Sequence, residues 1–353
     1  MLDQVFAGRP GSRGALRAAV LVPILLGIIG CSSDDAGAPA GTVSEAPAAA
    51  LRGSNPVAGQ QLYVDPASPS AAQAKRWRDA GRGTDAAAMA LLAKRPTAEW
   101  MVEATGVGER VRAEAQRAAE GGRTALLVAY HVPGRDCGNY SAGGSDSPTA
   151  YRAWARSFAH GIGPRRAIVI VEPDAIPQAI VQSCLSEAAK AERYALIAYA
   201  VKTFARLPHT AVYIDAGNPG WVRPPTGLVA PLRAAGIARA DGFALNVSNF
   251  YSTKKVISYG RALSRRLHGA HFVIDTSRNG NGATLNDDAG GPKWCNPPGR
   301  AIGHSPTTRT GRRKVDAYLW VKTPGASDGP CRAGAPPAGH WWPDYALALV
   351  RNR

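Results

Sequence analysis

Short apolar runs, each closed by polar residues, recur along the second half of the chain. The clearest is Ala167–Ile176, AIVIVEPDAI, in which five apolar residues lead into Glu172, Pro173 and Asp174. A run this short, with no polar alternation, predicts a strand buried on both faces, as in a parallel sheet covered by helices. Proline cannot donate to a ladder, so pairing is predicted to stop at Pro173. The same design appears in Thr124–Pro133, which runs into Gly134-Arg135-Asp136-Cys137, and in Thr210–Gly217, which ends in Asp215. Gly242–Phe250 ends in Asn246 and Asn249, His271–Arg278 in Asp275 and Arg278, and Ala317–Gly325 in Lys322 with Asp328 just beyond. Any one aspartate could simply cap the next helix. Six runs with polar carboxyl ends predict instead the staves of one barrel or one doubly wound sheet. Their ends would meet at one mouth, where α/β proteins bind ligands.

Between the runs the pattern shifts to helical spacing. Helices are predicted over Ala71–Ala80, Asp85–Leu92, Gly108–Ala119, Thr149–Gly161, Ser186–Leu207, Gly227–Ala235, Thr253–His268 and Pro343–Val350. Two shorter strands are predicted at Leu62–Asp65 and Ala98–Val102. Alternation of strand and helix from Thr124 to Lys322 predicts a single parallel α/β domain. The polar, glycine-rich stretches Gly134–Pro148 and Asn279–Lys314 are long loops at the same mouth, and loops of that length are often functional.

The amino terminus has a different character. Arg9, Arg13 and Arg17 precede the apolar segment Ala18–Gly30, which ends at Cys31. This arrangement resembles a bacterial lipoprotein signal, in which the cysteine is acylated; the alternative is an ordinary cleaved signal. The expected organisation is a lipoprotein-type signal peptide at 1–30, a lipid-anchored disordered tether at 31–54, rich in Ala, Ser, Gly and Pro, and one domain at 55–353. The protein is therefore expected to be exported, as a cell-envelope lipoprotein or in secreted form.

Export changes the meaning of the remaining cysteines. Cys137, Cys184, Cys295 and Cys331 are an even set, which predicts disulfides. Three pairings are open; the local one joins Cys137 to Cys184 and Cys295 to Cys331. CxxC spacing is absent, so no metal site is expected, nor any cofactor. The formal net charge of +16 raises the question of nucleic acid. The cations are scattered, in short groups such as Arg165-Arg166, Arg265-Arg266 and Arg312-Arg313-Lys314, with no long basic helix. A solvated basic surface is the expectation, without nucleic-acid binding.

Three aspartates lie beyond strand ends: Asp136, Asp174 and Asp328. The chain holds no nucleophilic serine motif, no phosphate-binding glycine loop after a strand and no HExxH. Carboxylates in one cleft do acid/base work when their surroundings push their pKa values apart. Trp100, Trp221 and Trp294 fall in polar or turn contexts suited to stacking on sugar rings. Trp320, Trp341 and Trp342 are expected in the core. Carboxylates, exposed tryptophans and export together suggest glycoside hydrolysis.

Seven blocks then match a known pattern: YHVPGRDCGNYSAGG (130–144), VIVEPDA (169–175), YIDAGNPGW (213–221), NVSNF (246–250), DTSRNG (275–280), KWCNPPGRAIG (293–303) and WVKTPGASDG (320–329). Together, and in this order, they resemble glycoside hydrolase family 6, the cellulases. The resemblance implies a distorted parallel β/α barrel of about seven strands and inverting attack on β-1,4-glucan. It implies Asp174 as general acid, Asp136 as the group that holds up its pKa, and Asp328 as candidate base, a role that a water chain may fill instead in the family. Tyr130 would crowd a distorted sugar ring. Trp100, Trp221, Asn218, Asn246, Trp294 and Lys322 would line the glucose subsites. The family's paired cysteines match Cys137–Cys184 and Cys295–Cys331.

Four positions depart from the family pattern. Ala326 stands where many members carry a sugar-binding glutamate, Ala142 where a serine positions water, Arg223 where some fungal relatives carry an aromatic, and His131 where Asn or Asp is usual. Asp328 is followed almost at once by Cys331, and Gly138–Pro148 is modest in length. No room is left there for a tunnel lid, so an open cleft and an endo-β-1,4-glucanase are expected, acting as a monomer on a β-1,4-glucan and held to the membrane at Cys31. The competing expectation is a carbohydrate-binding envelope protein of the same fold with little activity, which Ala326 favours.

Overall fold

The computed structural model describes residues 53–284 and 292–353. The signal segment, Cys31 and nearly all of the tether lie outside the described residues. Seven parallel strands pair in chain order: β1 (Glu99–Met101), β2 (Ala125–Ala129), β3 (Ala167–Val171), β4 (Thr210–Asp215), β5 (Gly242–Leu245), β6 (His271–Asp275) and β7 (Val315–Leu319). The sheet curls into a distorted α/β barrel. β1 and β7 form no ladder. Instead Ala98 N donates to Trp320 O at 3.0 Å and the Trp100 indole donates to Val321 O at 2.8 Å across the seam.

The unbroken apolar runs have a direct cause. Within β2, Leu126 and Val128 face the barrel interior with Ile168, Ile170 and Tyr213, while Leu127 and Ala129 pack outward against helices. Strand side chains alternate, and here both faces are dry, so no polar position is admitted. The outer layer is α3 (Val107–Glu120), α4 (Pro148–Ile162), α6 (Glu187–Phe204), α7 (Val229–Ala234) and α8 (Thr253–Arg266). A third apolar cluster joins α1 (Pro69–Asp79), α2 (Gly83–Ala93) and α9 (Pro343–Arg351) around the buried Trp320.

Helix starts follow local chemistry. Ser68, Ser147 and Ser186 each accept a backbone N–H at the start of α1, α4 and α6, as N-cap hydroxyls do. One expectation needs correction, and one element was not predicted. Leu62–Asp65 is not a strand; it makes a single bridge, Leu62 to Thr124, because the chain crosses the amino end of β2 and leaves. A short helix, α5 (Ala175–Val181), follows β3 directly. Its Pro177 and the absence of a side-chain cap hide it from pattern reading.

Candidate active site

The carboxyl ends of the strands open onto one cleft of about 980 Å³. Asp136, Asp174 and Asp328 line it, with Tyr130, Trp100, Trp221, Trp294, Asn218 and Lys322. Nine of the ten residues singled out for catalysis or substrate contact are thus together. The exception is Asn246, fully buried and with its amide spent on the fold. Its Nδ2 donates to the carbonyls of Asn249, Tyr251 and Asp275, and its Oδ1 accepts from Tyr251 N. It shapes the turn after β5 and does not face sugar. Trp341, expected in the core, is only partly buried and reaches the cleft lining.

Asp174 sits where β3 turns into α5, with φ of 69° in the left-handed region. That backbone is costly for a non-glycine residue and is typical of functional positions. The N-cap reading fails: Asp174 holds the cap position, yet its side chain makes no capping bond. Its backbone N–H is held by Asp215 Oδ2 at 2.9 Å. Burial raises the Asp174 pKa well above the usual carboxylate value, and the negative fields of Asp215 and then Asp136 add to it, against the pull of Lys322. Burial and neighbouring anions of this kind favour the protonated form of a carboxyl.

Asp215 was visible as a strand-end aspartate but not chosen from the sequence. Its Oδ2 also accepts from Gly217 N at 3.1 Å, while Oδ1 has no hydrogen-bond partner among the described residues. Burial pushes its own pKa to about 7, with backbone N–H donors from Asp174, Gly217 and Ala216 opposing. It ranks ahead of Asp136 in its effect on Asp174. Asp136 is tied down from both sides: Gln178 donates to Oδ1 at 2.9 Å and Ser141 N to Oδ2 at 2.8 Å.

Asp328 has the opposite environment. The fully buried Arg278 grips it with Nη1 to Oδ2 at 2.8 Å and Nη2 to Oδ1 at 3.0 Å; Asn296 N and the Lys322 ammonium add two more contacts. Burial opposes its charge, but Arg278 and Lys322 outweigh burial and hold its pKa below the usual value. Four donors occupy its lone pairs, so it is ionised and poorly placed to accept a proton.

Tyr130 closes the floor. Its ring meets Trp100 edge-on at 5.3 Å, and the Arg135 guanidinium lies over it at 4.7 Å. Glu172, two residues before Asp174, turns inward instead. It accepts from His131 N, Val132 N and the Tyr151 hydroxyl, tying β2 to β3. Burial raises its pKa to about 7 against those donors. Both expected disulfides form, Cys137–Cys184 and Cys295–Cys331, and each clamps loops at the mouth.

A parallel barrel whose strand ends carry one carboxyl raised in pKa and one held by cations, in an aromatic-lined cleft, suits a polysaccharide hydrolase. The chain belongs to glycosyl hydrolases family 6, whose model matches residues 57–353. It is 41% identical to Endoglucanase A of Cellulomonas fimi over 294 residues, 82% of this chain and 61% of that protein. It is likewise 41% identical to Endoglucanase 1 of Streptomyces halstedii, over 82% of this chain and 88% of the relative. The fold matches the endoglucanase Cel6 of Mycobacterium tuberculosis, solved with methyl-cellobiosyl-4-deoxy-4-thio-β-D-cellobioside. Identity there is 43% and the TM-score 0.78, covering 85% of this chain and 99% of the other.

Proposed function

We propose that the protein hydrolyses internal β-1,4-glucosidic bonds of cellulose or a related glucan, with inversion at the anomeric carbon. Asp174 is the general acid that protonates the leaving oxygen. The observation that carries this reading is its carboxyl: raised in pKa, free of hydrogen bonds to the described residues, and facing the cleft beside Asp215 and Asp136. Burial, and then the negative fields of Asp215 and Asp136, favour its protonated form. Inversion needs a water on the opposite face of the sugar, with acid and base about 6.5–9.5 Å apart.

Asp328 was the candidate base, and its surroundings argue for a different part. Ionised and gripped by Arg278 and Lys322, it serves as a fixed anion opposite the developing oxocarbenium charge. The proton from the attacking water then leaves along solvent near Asp136 and Ser141. Trp100, Trp221, Trp294, Asn218 and Lys322 hold the glucose units, and Tyr130 crowds the distorted ring. Endo-acting relatives and the short Asp328–Cys331 segment support an open cleft.

The test is hydrolysis of carboxymethylcellulose followed by viscosity and reducing ends together. Viscosity should fall well ahead of sugar release, and Asp174→Asn should slow both by about 10²-fold or more. Proton NMR of the first product from a soluble cello-oligosaccharide should show the α-anomer; a β-anomer overturns the mechanism. Ala326 lines the cleft in place of a carboxylate and favours a second reading, a carbohydrate binder with little turnover. Tight cello-oligosaccharide binding with no hydrolysis of any soluble β-glucan would favour it. Export completes the proposal: residues 1–30 direct secretion, Cys31 is acylated, and 31–54 tether the domain at 55–353. Palmitate labelling that persists in Cys31→Ser would overturn that part.

A further inference from the structure

The positive charge of this protein is segregated by the direction of its strands. All seven run parallel, so their amino ends share one face and their carboxyl ends the other. The five residues ahead of each strand together hold eleven Lys and Arg against two acids, Glu120 and Asp241. The Asp241 carboxylate is already engaged by Val212 N at 2.8 Å. The five residues after each strand hold only Arg278 and Lys322, both at the catalytic cleft, against three acids. Helices in this fold run back, so the last turns of α6, α7 and α8 add Lys202, Arg233 and Arg265 to the same face. Arg166, Arg206, Arg265 and Arg313 are exposed there. Arg261, Arg265, Arg313 and Lys314 line a shallow hollow of about 390 Å³ on this face.

The described chain also begins there. Asn55 Nδ2 donates to Asp316 O, near the amino end of β7, at 2.8 Å. Leu62 bridges Thr124 at the amino end of β2. The first described residues thus pack against the barrel on its basic end.

We infer that this basic face is a docking surface for anionic phospholipid headgroups, which holds the barrel on the membrane with its cleft turned outward. A polybasic patch beside a lipid chain supplies the second signal that stable anchoring needs, and acidic lipids concentrate such cations. The choice of lipid over nucleic acid rests on the reading of Cys31 given above; the charge segregation does not.

The test uses the chain from Ser32 onward, so that neither the signal segment nor an acyl chain contributes. Sedimentation is measured with vesicles of phosphatidylcholine alone and of equimolar phosphatidylcholine and phosphatidylglycerol. The protein should bind only the anionic vesicles, and less as salt rises. Combined Arg166→Glu, Arg206→Glu and Arg265→Glu should weaken binding at least about tenfold with carboxymethylcellulose hydrolysis retained as the check on folding. The same change of charge at Arg112, Arg156 and Lys254, on the helix flanks, should cost much less. Equal loss from both sets, or no anionic-vesicle binding, overturns the proposal. So does duplex DNA that displaces the protein from the vesicles at equal phosphate concentration. Absence of acylation at Cys31 would sink the anchor and leave the vesicle result standing.

Discussion

At the scale of single residues, neighbours decide which carboxyl does what. Asp174 and Asp328 are the same side chain in the same cleft, yet one is pushed up by burial and two anions and the other held down by two cations. Replacing Asp174 by Asn should lower kcat by about 10²–10⁴-fold with little change in fold, read as kcat on a soluble cello-oligosaccharide. Asp215 should be visible in the pH profile. Its negative charge raises the Asp174 pKa, so Asp215→Asn should move the high-pH limb of kcat/KM to lower pH. An unmoved limb with only a weaker enzyme would mean that Asp215 merely holds the Asp174 backbone.

At the scale of elements, the site depends on how β2 and β3 end. Glu172 binds two N–H groups at the end of β2, and its pKa rises from the usual 4.5 to about 7. The folded state therefore holds a proton that the unfolded chain has released, so this group's contribution to stability falls as pH rises from about 4.5 to about 7. Denaturant midpoints across that window should flatten in Glu172→Gln, which stays neutral throughout. Gly144 is constrained differently. Its φ is +100°, and an added Cβ would lie 2.0 Å from Val132 O. Gly144→Ala should cost about 1–3 kcal/mol by forcing the loop that carries Asp136 off its seat. Thermal melting should show the loss, and activity should fall with it.

At the scale of the whole molecule, one direction of travel serves two surfaces. Parallel strands collect the acids and aromatics of the cleft at one end and the excess of basic charge at the other. The mouth is further fastened by two disulfides that close sequence separations of 47 and 36 residues. Breaking either should cost roughly 2–5 kcal/mol. A reducing agent should therefore lower Tm, and Cys295→Ser with Cys331→Ser should reproduce part of that drop.

The apolar runs alone carried the parallel α/β class, because such runs suit a sheet dry on both faces, and the family resemblance chose the barrel over a doubly wound sheet. The sequence also carried Asp136, Asp174 and Asp328, since polar residues that follow such runs must surface at one rim. It could not separate Asn246 from Asn218: both follow strands, and only the packed turn after β5 shows that the first is fully buried and bonded within the fold. Nor could it rank Asp215 above Asp136, because a field at a carboxyl depends on distances through space. Tertiary structure alone decided the burial of Arg278 against Asp328 and the gathering of scattered cations on one face. Residues far apart in the chain meet only when every strand points the same way.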